Sequence, residues 1–362
     1  MIPGPIHHRA LARYNGAPYN QAAPRMPQPD LAIRSAASPS ADVSVRAGKA
    51  GFRRLAWAAM LAVAALTGSP AHAITDEAID ARLRNYAYTD TRRLVHRVEL
   101  AARLVETEGD AAFARFKVLG SEWFEGPSSY LFAYALDGTC VFDALSPNLI
   151  GRNLIDLTDL NGKPVVRWGT DIARQPAPDA AGWLFYLWQE GPDLTPTWKT
   201  VYIRKVTTPD GKVYALGSGL YAVKMEHAFV RAYVDRAVEL LREQGHESAS
   251  VTLKDPTSHF VFPGASVFVL DEKGRTLVDP VFPSLAGRDM LGFRDAVGDR
   301  PIVRLRDKLA TADEAWVQYM WPRPGEVQPT RRVIYARRID ANGRKLIVGA
   351  EFFQATPIWM RG

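Results

Sequence analysis

At 362 residues, with 47% hydrophobic and 23% charged side chains, the chain has a globular composition and room for two domains of ordinary size, which excludes a fibrous or wholly disordered class. The net charge of +6 comes from Lys and Arg interleaved with Asp and Glu, a mixed surface that gives no reason to expect a nucleic-acid partner. The single cysteine, Cys140, excludes an internal disulfide.

Residues 1–50 are dominated by Pro, Ala, Gly and Arg and carry no apolar periodicity. Such a segment cannot bury enough surface to offset its ordering entropy. Two readings stay open: a disordered extension, or a start codon set too far upstream, with Met26, Val43 and Val45 as later starts. Residues 51–73 read as a signal peptide. Arg53 and Arg54 precede the apolar run Leu55 to Leu66, Gly68-Ser69-Pro70 breaks it, and Ala71-His72-Ala73 is a small-x-small cleavage pattern. The run is short of the roughly 20 residues a membrane span needs, so cleavage after Ala73 and a periplasmic mature chain without a membrane span are expected.

From Asp76 to Phe116 the apolar positions Leu94, Val98, Ala101, Ala102 and Val105 recur at helical spacing. Strands are predicted at Ser129 to Ala135, Thr139 to Phe142, Trp183 to Trp188, Thr200 to Val206 and Val213 to Leu216, with turns at Asp137-Gly138 and Asp210-Gly211. A second helix carries Phe229, Tyr233, Ala237, Leu240 and Leu241 and stops at Gly245. Strands at Ser266 to Leu270 and Arg275 to Val278 follow, and Asn342-Gly343 marks a late hairpin turn.

These two runs are copies of one another. Gly138-Thr-Cys-Val-Phe-Asp143 with Pro147 and Gly151-Arg152-Asn153 recurs, offset by 136 positions, as Gly274-Arg-Thr-Leu-Val-Asp279 with Pro283 and Gly287-Arg288-Asp289. Trp183-x-x-Tyr186-x-Trp188 recurs as Trp316-x-x-Tyr319-x-Trp321, and Val201-Tyr202-x-Arg204 as Ile334-Tyr335-x-Arg337. Gly217-Ser-Gly-Leu-Tyr221 recurs as Gly349-Ala-Glu-Phe-Phe353. A unit of roughly 130 residues is too long for a solenoid repeat. The expected class is α+β, with two domains, 74–225 and 226–362, each a long helix packed on a five-stranded antiparallel sheet.

The succession Gly151-Arg-Asn-Leu-Ile-Asp156, Asp159-Leu-Asn-Gly-Lys163, Tyr186-x-Trp188, Lys199-Thr-Val-Tyr202 and Gly217-Ser-Gly-Leu-Tyr221 resembles the Cache domains of bacterial extracytoplasmic sensors, of the Cache_2 type. The second unit is similar to the same pattern more loosely. The resemblance implies a PAS-like fold whose open sheet face holds a small organic acid, amino acid or amine. It also implies a signalling partner, a membrane-bound sensor kinase or chemoreceptor, since no output segment follows the second unit before Gly362.

Aromatic walls with one or two fixed cations suit a small carboxylate. The expected site residues are Tyr186, Trp188, Lys199, Tyr202 and Arg204, with Gly217 and Gly219 allowing close backbone approach to the ligand. Tyr319, Trp321, Arg332, Tyr335 and Arg337 are their counterparts in the second unit, where Pro322 and Pro324 disturb the loop and Glu351 replaces Gly219. The competing reading makes the aromatics core and the cations solvated, leaving a structural or interaction protein. Enzymatic motifs are absent: His96, His227, His246 and His259 have no metal-pair spacing, and there is no nucleophile elbow, Walker loop or dinucleotide fingerprint. Neither metal nor cofactor is expected, and Cys140 reads as a small buried hydrophobe.

Overall fold

The computed structural model describes residues 74–190, 195–255, 257–262, 264–323 and 326–354. The signal-peptide segment 51–73 and the extension 1–50 lie outside the described residues.

Two antiparallel sheets carry the α+β fold. The first comprises β1 (Phe124–Gly126), β2 (Ser129–Ala135), β3 (Cys140–Asp143), β4 (Ala181–Glu190), β5 (Thr195–Thr207) and β6 (Val213–Tyr221), in the order β1-β2-β6-β5-β4 with β3 paired to β2. The second comprises β7 (Val261–Phe262), β8 (Ala265–Asp271), β9 (Thr276–Val278), β10 (Glu314–Pro322), β11 (Pro329–Ala341) and β12 (Arg344–Phe353). Its order is β10-β11-β12-β8-β7 with β9 paired to β8, the same path read from the other end. Among the described residues each sheet therefore has six strands where five are predicted, the extra one being a short edge strand, β1 or β7.

The helical stretch predicted from Asp76 to Phe116 is divided. Helix α1 (Asp76–Leu83) and helix α2 (Thr89–Glu108) are separate, and a 3₁₀ segment runs over Gly109–Lys117. The break is held open from a distance: the buried Glu226 carboxylate accepts the Ala87 and Tyr88 backbone N–H groups, each at 2.9 Å. The apolar stripe of α2, Leu94, Val98, Ala101, Ala102 and Val105, is buried as its spacing requires. Helix α4 (His227–Lys254) is interrupted at Gly245 (φ 74°, ψ 168°), and turns resume beyond it. Two short helices escape the sequence reading: α3 (Val165–Arg174) and α5 (Pro301–Leu309).

One apolar core runs through both sheets, because α4 packs on each. Its Phe229 lies 4.5 Å from Trp183 and 5.3 Å from Phe185 of the first sheet, while Val230, Val234 and Val238 join the same core as Val333, Val348 and Phe352 of the second. A smaller core lies on the other face of the second sheet, where Ile302, Leu305 and Leu309 of α5 meet Phe268, Val317, Tyr319 and Ile334. The repeated glycines are geometric. Gly138 and Gly274 both take positive φ (92° and 78°), and a Cβ there would lie 2.5 Å from Ile155 and 2.8 Å from Leu291.

Candidate functional site

Side chains alternate along a strand, so each strand of the first sheet offers one set to α2 and the opposite set to α3. On the α3 side Tyr130, Phe132 and Tyr134 of β2, Leu184, Tyr186 and Trp188 of β4, and Lys199, Val201 and Ile203 of β5 converge. Helix α3 closes over them with Val165, Val166 and Gly169, and the loop after β3 adds Asp143, Ser146, Leu149 and Leu157. They enclose a cavity of about 120 Å³. This is smaller than the ~150 Å³ cavity that admits a benzene ring, and so fits about four to six non-hydrogen atoms.

Lys199 is the cation of this cavity. It is 2% exposed, donates to the Tyr130 hydroxyl at 3.2 Å, and lies 4.5 Å from the Tyr130 ring and 5.4 Å from the Tyr221 ring. No carboxylate stands within ion-pair distance of it among the described residues. Burial pushes its pKa down to about 8, against the opposing pull of Asp143. Because Lys199 Nζ donates to Tyr130, the phenolic proton of Tyr130 is left to donate onward. Asp143 accepts the Leu145 and Ser146 N–H groups at 2.9 and 2.7 Å; burial nonetheless raises its pKa, with those bonds and Lys199 opposing.

Tyr202 and Arg204 are not in this cavity. Three and five positions beyond Lys199, they have the opposite parity and face α2. There the Tyr202 hydroxyl donates to Glu99 at 2.6 Å, and Arg204 meets Glu99 and Glu106, each at 3.3 Å. Arg82 of α1 completes the cluster on Glu99 at 2.7 Å. The signal for this cluster was present in α2: Glu99 and Glu106, two helical turns apart, stand on the same side as the buried Val98 and Val105. Gly217 and Gly219 are covered by side chains and offer no surface to a ligand. A Cβ at Gly217 would meet Ile203 at 2.5 Å and Phe132 at 3.0 Å; one at Gly219 would meet Lys199 Cε and Val201 Cγ2, both at 2.8 Å.

The second sheet divides its candidates in the same way. Tyr319, Trp321 and Arg332 lie on the α5 side, whereas Tyr335 and Arg337 face α4, where Tyr335 donates to Glu314 and Arg337 pairs with Asp235, both at 2.7 Å. Arg332 is already paired: its Nη2 lies 2.7 Å from Glu351 Oε1, and the Tyr319 hydroxyl donates to Glu351 Oε2 at 2.6 Å. Asp279, the counterpart of Asp143, has its pKa raised by burial to about 6. Pro322 ends β10 opposite Pro329, and Pro324 lies outside the described residues.

Other sequence motifs prove structural. The Asp159 carboxylate is saturated by the backbone N–H groups of Asn161, Lys163 and Leu187, and Asp295 repeats the arrangement with Val297, Asp299 and Met320. Cys140 is fully buried and its thiol is pushed up to about 11 by burial. A second hollow, lined by Arg93, Arg97, Glu125 and Tyr221, offers a poorer anion site, since Arg97 already binds Glu125, Ser129 and the Glu122 carbonyl.

Against known proteins, no curated protein matches the chain. Among solved structures, a periplasmic sensor domain of a chemotaxis protein is 24% identical, with 35% of this chain and 93% of that one covered and a TM-score of 0.30. A methyl-accepting chemotaxis protein from Vibrio parahaemolyticus is 25% identical over 40% of this chain and 91% of that one, with a TM-score of 0.27. A Cache chemosensory domain solved for its carboxylic acid recognition is 20% identical over 41% of this chain and all of that one, with a TM-score of 0.30. Residues 239–353, from within α4 to the end of β12, match the family described as Single Cache domain 2, so that this part of the chain is similar to a Cache sensor domain.

Proposed function

We propose that the protein is an exported, non-enzymatic binding protein with two Cache-like units, 74–225 and 226–362, whose first unit captures a small monocarboxylate. The observation that carries this reading is Lys199: an ammonium buried in an aromatic cavity, without a carboxylate partner among the described residues. Burying a charge costs several kcal/mol unless it is paired, and a ligand carboxylate would supply the missing partner. The Lys199 ammonium and the Tyr130 hydroxyl are the donors for that carboxylate. Phe132, Tyr134, Tyr186 and Trp188 form the wall for a short aliphatic tail. Exclusion of water makes the charge-assisted bonds stronger than they would be at the surface. A membrane-bound partner would read the ligand through the packing of α3 on the sheet, in proportion to the ligand's preference for one packing over the other. The match of residues 239–353 to a Cache family supports the sensor class.

A thermal-shift screen tests the assignment. Acetate, propionate, pyruvate and lactate are expected to raise the melting temperature, while C4 dicarboxylates, larger than the cavity, are not. Lys199→Met should weaken acid binding roughly ten- to hundredfold, the loss of about 1.5–3 kcal/mol expected for a hydrogen bond to a charged group. A shift with amines alone would transfer recognition from Lys199 to Asp143. If no small molecule binds, the cavity is a packing defect of a structural protein.

A further inference from the structure

The strand registers allow the two open faces to be compared position by position. In the first sheet Tyr186 pairs with Lys199, and Val201 with Gly219; in the second Tyr319 pairs with Arg332, and Ile334 with Glu351. Lys199 thus corresponds to Arg332 and Gly219 to Glu351. The first sheet presents a cation beside a glycine. The second presents a cation beside a carboxylate.

We propose that Glu351 is a built-in ligand: its carboxylate fills a carboxylate-binding site on the second sheet, and its removal would let that site take a free monocarboxylate of acetate's size. Both carboxylate oxygens are engaged, one by the Arg332 guanidinium at 2.7 Å and the other by the Tyr319 hydroxyl at 2.6 Å. One cation and one phenol are also what the Lys199 cavity presents. The site is well enclosed. The Arg332 and Glu351 side chains are 11% and 19% exposed, Tyr319 is buried, and the Phe353 ring lies 4.8 Å from the guanidinium carbon. Arg332 Nε is buried with no hydrogen-bond partner, so the cation keeps a donor that its internal carboxylate does not reach. A tethered carboxylate outcompetes free acids because it gives up little translational and rotational freedom on docking. The second unit is thereby held in an occupied state whatever the surrounding concentration of acid. Only the functional meaning of the plug rests on the carboxylate reading of the Lys199 cavity.

The test uses the full chain carrying Lys199→Met, which silences the first cavity, with acetate as the probe and chloride at equal ionic strength as the control. Adding Glu351→Ala should lower the melting temperature in chloride and create a saturable acetate-dependent rise that Lys199→Met alone lacks. Adding Glu351→Gln, which keeps the volume but not the charge, should create no such response, and Arg332→Met added to the Ala variant should abolish it. An acetate response no larger in Lys199→Met/Glu351→Ala than in Lys199→Met overturns the proposal. If the Ala variant does not fold in chloride, recovery on refolding in acetate supports the proposal, and failure to recover in either salt overturns it. Wild type against Lys199→Met reads the first cavity separately, so the two proposals fail independently.

Discussion

The two sheets follow the same path through the same kinds of residue, yet their open faces differ in how a buried cation is satisfied. In the first, Gly219 makes room for the aliphatic stem of Lys199, and the ammonium is left with a phenol and two aromatic rings. In the second, Glu351 occupies the position of that glycine and neutralises Arg332 directly. At that one position the first sheet has a glycine and a cation without a carboxylate partner among the described residues, and the second has a glutamate and a cation paired within the chain. The helix-facing sides differ as well. Arg204 is locked among Glu99 and Glu106 in a nearly dry interface, whereas its counterpart Arg337 pairs with Asp235 where side chains are 27% and 39% exposed.

The largest expected effect breaks the comparison on the helix side. Arg204→Ala leaves Glu99 and Glu106 facing each other without their shared guanidinium, and should cost about 3–5 kcal/mol in urea-induced unfolding. A smaller loss would mean that water or Arg82 compensates the two acids.

Next comes the copying of one face onto the other. Gly219→Glu must push aside the Lys199 stem and Val201, which a Cβ there would meet at 2.8 Å, and should then pair its carboxylate with the ammonium and abolish the acid-induced thermal shift. Retention of the shift would show that position 219 does not control access to the ammonium.

The pH dependence of binding sharpens the same contrast. With the Lys199 pKa lowered to about 8, the ammonium is intact at neutral pH and is lost as the solution becomes alkaline. Affinity for a carboxylate should therefore be flat below about pH 7 and fall up to about tenfold per pH unit above 8, a slope worth ~1.36 kcal/mol per unit. Calorimetric titrations from neutral to alkaline pH check this. A fall in affinity on acidification through neutral pH would point to another group.

The smallest effect is that of Arg337→Ala. Its half-exposed ion pair with Asp235 should contribute no more than about 1 kcal/mol, and acid binding in the first cavity should be unchanged. A loss as large as that of Arg204→Ala would mean the two helix faces are equivalent after all.

Much of the scaffold was legible from local pattern. Ser129 to Ala135 coincides with β2, and the Asn342-Gly343 turn adopts positive φ at both residues as a two-residue hairpin requires. The site was only partly legible. Tyr186, Trp188 and Lys199 do line one cavity, but grouping Lys199 with Tyr202 and Arg204 ignored the alternation of the strand. Helix α3 was missed although Val165, Val166, Gly169, Ile172 and Ala173 repeat at helical spacing, because ten residues containing a glycine and led by Pro164 carry a weak signal.

The sequence by itself determined what local spacing can determine: the α+β class, the internal repeat and which residues share the face of a strand. Tertiary structure decided which face of each strand meets α2 or α4 and which meets α3 or α5, and hence whether a cation stands in a cavity or in an ion pair. That choice depends on partners far away in the chain. Glu99 and Glu106 claim Arg204 across about a hundred residues, and Glu226 holds open the α1–α2 break from 138 positions away. Charge and hydrogen bonding act through space with no sequence period, so only the assembled core reveals which buried cation lies in an ion pair and which lines a cavity.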